Sequence, residues 1–291
     1  RPVTGKCPVE QISKDRPCVR SSDELSYQYS VRGGNCDENL VYIHDVEIYR
    51  PNLVRSGQQE GLSVINPVLV SSIQFSSGGY DAKYGDKLSS VLDVKYKTPN
   101  KFEASAEASL LGSSFHFANS SKNNKLTYLA GIRYKTNAYL LNSLDTKGEY
   151  KPNYTDVQAL VNYRFSSSFS MHLWGSLSRN NYNFKPETRN TSFGTISEAL
   201  QLKIYFDGKE KDKYETNIQA FTLKFHPNSK SLYRVIASRY ETTEKETFDI
   251  MGQYYLSDLF VSQGGSSSES LENLCVGTFI DIARNKMSKK N

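Results

Sequence analysis

Hydrophobic and polar residues alternate with a period of two along much of this chain. From Phe102 to Leu110 the even positions read Phe102, Ala104, Ala106, Ala108 and Leu110, and the odd ones read Glu103, Ser105, Glu107 and Ser109. Successive strand side chains point to opposite faces, so this spacing predicts a strand with one apolar face. Leu126, Tyr128, Ala130, Ile132 and Tyr134 repeat the pattern against Thr127, Leu129, Gly131 and Arg133. Val157 to Phe165 and Phe169 to Leu177 do so again, and weaker segments follow at 214–225 and 232–240. Val276 to Ala283 is a further candidate, which brings the expectation to seven or eight strands.

The connections carry a second signal. Polar turns stand at 122–124, 166–168 and 226–230, and longer polar stretches at 142–155, 179–212 and 241–274. The run 102–118 exceeds the ~9–11 residues of one membrane strand, so a break near Gly112 is expected. With that break at Gly112, the turns at 122–124, 166–168 and 226–230 fall on one side, and a tight turn at 112–114 falls with the three long connections on the other. Outer-membrane barrels have this asymmetry, with short periplasmic turns and longer extracellular loops. A soluble sandwich also alternates, but nothing in it sorts loops by side. An open set of strands would leave a bare edge in lipid, so the chain reads as part of a barrel. It opens Arg1-Pro2-Val3 without an initiator Met, and reads as trimmed at that end.

Composition fits such a sheet. Apolar residues make up 37% of the 291 positions, with 20 Tyr and 14 Phe. That aromatic content is too high for a disordered chain. The net charge of +5, without a run of basic residues, argues against nucleic acid. No stretch is apolar enough for a membrane helix. Cys7, Cys18, Cys36 and Cys275 show no CxxC spacing, which leaves a Cys7–Cys18 bridge and free thiols both open. The aromatics Tyr134, Tyr139, Tyr163, Tyr182 and Phe184 suit interfacial girdles.

Residues 1–98 have a different texture, with Gly pairs and short apolar runs. Tyr29-Ser30-Val31-Arg32-Gly33-Gly34-Asn35 leads through Cys36-Asp37-Glu38-Asn39 into Leu40-Val41-Tyr42-Ile43. A second block holds Ile65-Asn66-Pro67, then Val70 to Phe75, then Gly78-Gly79-Tyr80-Asp81-Ala82-Lys83-Tyr84-Gly85 and Leu88-Ser89-Ser90. In this order the two blocks resemble the plug core of TonB-dependent outer-membrane receptors of the Bacteroidetes type. Two departures stand out: Cys36 where the family often has Pro, and His44-Asp45 where it commonly has Asp-Gly. The glycines allow positive φ or close strand approach.

The resemblance implies a mainly β chain. Residues 1–98 would be the C-terminal part of a small mixed α/β plug. Residues 99–291 would be the first seven or eight antiparallel strands of an incomplete transmembrane barrel. It implies a structural motif role for Arg32, Gly33, Gly34, Asn35, Gly78, Gly79, Tyr84 and Gly85. It implies uptake across the Gram-negative outer membrane, energised by the TonB–ExbB–ExbD complex through an N-terminal box that is missing here. The ligand class stays open among iron chelate, cobalamin, oligosaccharide and peptide. Position alone makes Arg50, Arg55 and Gln58 the expected ligand-facing residues, together with the long connections.

Chemistry of other kinds finds little support. His44, His116, His172 and His226 form no HExxH or close pair, and Ser76-Ser77-Gly78-Gly79 lacks the Lys of a phosphate loop. No catalytic constellation, metal site or cofactor motif is expected. The rival reading is a β-rich surface adhesin without transport, whose apolar faces would pack a core instead of meeting lipid.

Overall fold

The computed structural model describes residues 19–21, 29–51, 62–86, 88–139, 148–194, 199–258 and 280–290. Strands dominate. In chain order they are β1 (Val19–Ser21), β2 (Tyr29–Val31), β3 (Asn39–Ile43), β4 (Val46–Glu47), β5 (Val70–Ser76) and β6 (Ser90–Tyr96). Then come β7 (Glu103–Ser109), β8 (Gly112–Ser120), β9 (Leu126–Lys135), β10 (Gly148–Tyr150) and β11 (Asn153–Arg164). The last are β12 (Phe169–Pro186), β13 (Arg189–Gly194), β14 (Ala199–Asn228), β15 (Ser231–Asp258) and β16 (Ile280–Lys290).

These strands form two principal sheets. The small one has the order β4-β3-β6-β5, with β3 parallel to β6 and the other pairs antiparallel. Strand β6 is its centre and is buried along nearly its whole length, as expected of a strand covered on both faces. The large sheet is antiparallel and curls along the path β7-β8-β9-β11-β12-β14-β15-β16, with β10 and β13 attached to its side. Its end strands β7 and β16 do not pair with each other among the described residues, so the curl is an open half-barrel.

One core joins the two sheets. Val31, Ile43, Leu69, Leu92 and Val94 of the first hundred residues pack with Leu129, Leu160, Trp174, Ile218 and Ala220 of the large sheet. Burial of such side chains contributes roughly 1.5–3 kcal/mol each. The large sheet therefore has an inner face on this core. Its outer face carries exposed apolar residues, among them Phe115, Phe117, Ile132, Tyr134, Leu173, Leu177, Phe225, Tyr233 and Val235.

The alternating segments are strands as expected, but their limits differ. The break in 102–118 falls at Leu110-Leu111, two residues before Gly112, where Ser109 pairs with Gly112. The stretch 179–212, expected as a loop, is mostly strand: β12 runs on to Pro186, β13 follows, and β14 starts at Ala199. Likewise β15 continues to Asp258. Beyond Leu177 the outward row turns polar, with Arg179, Asn181 and Asn183 on β12 beside Glu215, Lys213 and Lys211 on β14, so the hydrophobic period stops while the backbone ladder continues. Tyr182 and Phe184 also turn inward, where their rings meet Tyr150 in tilted contacts, because they share parity with the buried Trp174. Tyr163 lies on the outer face. There Tyr163, Phe165, Phe169, Phe225 and Tyr233 form an unbroken chain of ring contacts beside the short turns.

Gly131 permits the close approach of the two sheets. A Cβ there would sit 2.8 Å from Asn66 Nδ2 and 3.3 Å from a Leu69 methyl. Gly131→Leu should push the Asn66–Leu69 turn off the sheet and destabilise the fold by about 1–3 kcal/mol. Protease cleavage within residues 29–98 should accelerate relative to wild type, and unchanged cleavage would contradict this packing.

Candidate functional site

The junction between the sheets concentrates the buried polar groups. Arg133 on β9 and Asp156 on β11 share one level of the inner face, paired in register. The guanidinium donates from Nη2 to Asp156 Oδ2 at 2.6 Å, and both side chains are almost fully buried. It also donates to the carbonyls of Ser63 at 2.8 Å and Ile65 at 3.0 Å. One side chain thus satisfies a carboxylate of the large sheet and two backbone acceptors of the 62–66 segment. Two residues on, Gln158 receives the Tyr96 hydroxyl at 2.5 Å and donates to the Val64 carbonyl at 2.7 Å. A buried charge is costly unless paired and hydrogen-bonded, and here every partner spans the junction or the adjacent strand.

A second tie lies toward the short turns. His44 and Asp45 form the two-residue turn between β3 and β4, with φ of 53° and 68°. Both values are left-handed, the type I′ pattern that favours Asn-Gly. Neither residue is glycine, and side-chain bonds hold the turn. His44 Nε2 accepts the Tyr96 backbone N–H at 2.9 Å. Asp45 faces Lys95 at 2.5 Å, Lys224 of β14 at 3.1 Å and Arg234 of β15 at 3.3 Å. Burial alone would raise the Asp45 pKa, but the Lys95 and Lys224 contacts outweigh it and hold the carboxyl well below its usual range. Burial, aided by Lys95, pushes the His44 imidazole down to about 4.

The motif residues come together in the first hundred residues. Arg32 and Gly33 make a tight turn at φ of 52° and 79°, closed by Gly34 N–H to Val31 O at 3.0 Å. The Arg32 guanidinium lies on Gly78, where a Cβ would fall 2.7 Å from Nη1. The two sequence blocks therefore meet at this point. Gly78 and Gly79 have positive φ, but Gly34 and Gly85 do not. Gly34 is needed for space instead, since Ser89 Oγ occupies the place of its Cβ. Asn35 leads into a short 3-10 turn at Cys36–Glu38. The Tyr84 hydroxyl donates to Asp93 at 2.6 Å, and its ring meets Tyr42 edge-on. Sequence reasoning missed Asn39, which is buried, donates to the Tyr29 carbonyl and accepts from Ser90. Its position at the head of an apolar strand was the available signal.

Of the expected ligand-facing residues, Arg55 and Gln58 lie outside the described residues. So do Cys7, Cys18 and Cys275. Arg50 pairs with Glu244 of β15 at 2.8 Å. It borders a cavity of about 50 Å³, lined also by Ser63, Thr155, Asn180, Tyr214 and Thr216. That is room for a few waters. His172 hydrogen-bonds Asn162 at 2.6 Å on the inner face, and His116 pairs with Ser105. No cluster of three metal-binding side chains occurs among the described residues.

No family model matches the chain, and neither does any curated protein. Solved structures similar in chain course include the ferric enterobactin receptor PfeA of Pseudomonas aeruginosa. It is 13% identical over 85% of this chain and 46% of its own length, with a TM-score of 0.43. The ferripyoverdine receptor of the outer membrane of the same organism is 10% identical over 97% and 45%, at 0.45. The siderophore receptor PirA of Acinetobacter baumannii is 15% identical over 79% and 42%, at 0.40. The chain spans less than half the length of each of these structures. At such identity and TM-score the likeness transfers no residue role, ligand or partner.

Two outcomes test the junction. Arg133→Met leaves Asp156 buried and unpaired, which should cost about 3–5 kcal/mol, whereas Arg133→Met with Asp156→Leu should restore much of it. Denaturant unfolding of the three forms reads this difference directly. His44 makes stability fall with acid. Its folded pKa lies below the unfolded value, so only the unfolded state takes up the proton between about pH 6.5 and 4. The loss should be on the order of 3 kcal/mol across that window. Asp45, shifted the same way, gives stability that fails only below the unfolded carboxylate pKa, near 3.8. His44→Asn, which tolerates the turn, should flatten unfolding midpoints over pH 6.5–4, and an unchanged slope would exclude His44 as the cause.

Proposed function

We propose that this chain is part of a TonB-dependent outer-membrane receptor, in which the small sheet belongs to the plug and the large sheet to the barrel wall. The observation that carries this reading is the pairing of opposite faces on one sheet. The inner face holds a polar, hydrogen-bonded junction to the segment that bears both glycine blocks. The outer face is apolar and edged by the aromatic chain from Tyr163 to Tyr233. A soluble sandwich would cover both faces of its core and leave no such girdle. From Phe169 to Leu177 the outer face offers nine residues of strand, near the ~9–11 needed to cross the membrane.

The short turns then face the periplasm and the long strands point outward. On this reading residues 1–98 form the C-terminal part of the plug, and residues 99–291 the first barrel strands. The pairing of Arg50 with Glu244, far along β15 from its short turn, supports an outward placement of Arg50, and we extend that placement to the rest of the segment, with Arg55 and Gln58, as part of this proposal. We assign ligand contact to that segment. The ligand is an iron chelate, cobalamin, oligosaccharide or peptide, and the energy comes from a TonB–ExbB–ExbD complex.

Fractionation of Gram-negative cells that make the full-length protein tests the placement. Recovery in outer-membrane fractions, released only by detergent, is the expected result. Recovery in the soluble fraction without detergent would favour the adhesin reading and end this one.

A further inference from the structure

The inner face of the large sheet turns acidic beyond its junction with the small sheet. Tyr182, Asp212 and Glu246 stand side by side on β12, β14 and β15, with Phe184, Glu210 and Phe248 in the next row outward. Asn180, Tyr214 and Glu244 make the row below. Asp212 is 5% exposed and hydrogen-bonds the Glu210 side chain on its own strand. Glu246 accepts the Tyr214 hydroxyl at 2.7 Å, and Glu244 holds Arg50 at 2.8 Å. Tyr150 closes the β12 side against Tyr182 and Phe184. On the far side, β16 sets Met287 opposite Glu246 and Lys289 opposite Glu244 in register. Lys209, Lys211, Lys213 and Lys245 have the opposite parity and stand on the outer face. Four carboxylates therefore share one face within three rows, and Asp212 and Glu246 are directly opposed across strands. Like charges so placed destabilise a sheet.

A break in the sheet lies next to these carboxylates. Strand β14 pairs with β12 as far as Glu210, and with β13 only from Ile204 on. Among the described residues its segment 205–209 is therefore laddered to β15 alone. Gly208 sits in that gap at φ of 105°, and the Asp249 carbonyl occupies the place a Cβ would take. At the same level the register of β15 with β16 slips between Phe248 and Ile250. An interior glycine, a ladder gap and a bulge at one level make a hinge. Beyond it, β13 and the ends of β14 and β15 form a three-stranded paddle. Asn217 pairs with Leu177, the last outward apolar residue of β12. Asp212 lies about 16 Å past that level along β14, outside the apolar band.

Burial first, then Glu210 and Glu246, raise the Asp212 carboxyl to about 7. Tyr214 keeps its own proton, since burial and the Glu246 contact push it upward. Alternate residues such as Glu210 and Asp212 stand about 6.6 Å apart along a strand. Bending the sheet convex on its inner face spreads them and weakens their repulsion. We propose that Glu210, Asp212 and Glu246 form a proton-operated latch on this hinge. Protonated, the cluster keeps the paddle upright; ionised, it tips the paddle away from the inner face. The latch is a property of the sheet itself, and that its paddle faces the cell exterior rests on the outer-membrane reading above. The upright form keeps the proton and the tipped form releases it. The upright form is therefore favoured in the ordinary carboxylate range and lost as pH rises to about 7. His44 acts with the opposite sign, since its contribution fails in acid.

Spin labels at Lys245 and Gln253 of the full-length protein in neutral detergent read the bend. They flank the hinge on the outer face of β15, about 26 Å apart along a straight strand. Tipping makes that face concave and brings them closer. From about pH 4.5 to about pH 7.5 the shorter distance should gain at least about tenfold over the longer one, since one linked proton allows about tenfold per pH unit. Asp212→Asn should hold the longer distance throughout. Glu246→Gln removes a neighbouring charge and should move the transition to lower pH. Asp249→Asn, at the same level on the outer face, should titrate as wild type. Distances that ignore pH, a transition that survives in Asp212→Asn, or one that is lost in Asp249→Asn would each overturn the proposal. If Asp212→Asn does not fold, Glu246→Gln decides it, and an unmoved midpoint would overturn it. Recovery of the chain in the soluble fraction would instead end the outer-membrane reading and leave these distances as they are.

Discussion

The buried Arg133 guanidinium is the interaction on which the arrangement of the two sheets depends. It is desolvated, and it is tolerable only because Asp156 and two backbone carbonyls accept from it at once. Remove the 62–66 segment and two of its donors lose their partners. Remove Asp156 and a charge is stranded in a low-dielectric junction, where its cost is several kcal/mol. This makes the junction specific in geometry. Apolar packing among Leu69, Leu129, Leu160 and Trp174 supplies the bulk of the contact but would permit sliding. The guanidinium and the Gln158 amide fix the register.

The remaining ties follow the same logic with different stakes. The Asp45 cluster is only partly desolvated and sits toward the short-turn end, so it answers to pH and salt more readily than the Arg133 junction. Arg50 and Glu244 sit at the opposite end and are more exposed still. The small sheet is therefore held most firmly in the middle of the wall and more loosely above and below. Local opening should then start at those two ends, where hydrogen bonds meet solvent.

Much of the sheet was legible in the sequence, and the reasons for the gaps are physical. Strands β9, β11 and the first half of β12 have one apolar and one mixed face, which leaves a period of two that can be read directly. The outer halves of β12, β14 and β15 lose their apolar outward row at Arg179, Lys213 and Lys245, and their remaining apolar residues, such as Tyr182, Ile204 and Leu256, keep no steady period. Their ladder is made by backbone groups, which carry no sequence signature, so 179–212 read as loop. The glycine blocks were legible as motifs, and the contact of Arg32 with Gly78 joins them. The junction was not legible. Arg133 and Asp156 are 23 residues apart, Ser63 and Ile65 contribute only carbonyls, and every residue type has one. Tyr182 and Phe184 misled because aromatic residues suit a girdle and a lumen equally well, and parity with Trp174 decides between them.

The central claim is that one face of the large sheet meets lipid and the other meets the small sheet. Site-directed spin labels read this directly in the full-length protein reconstituted in bilayers. Labels at Met171, Leu173, Leu223 and Val235 should be accessible to oxygen and shielded from a polar nickel reagent, while labels at Ser176 and Thr222 should be shielded from both. Accessibility should therefore alternate with a period of two along β12 and β14. Outward labels open to the nickel reagent, or accessibility without that period, would contradict the account.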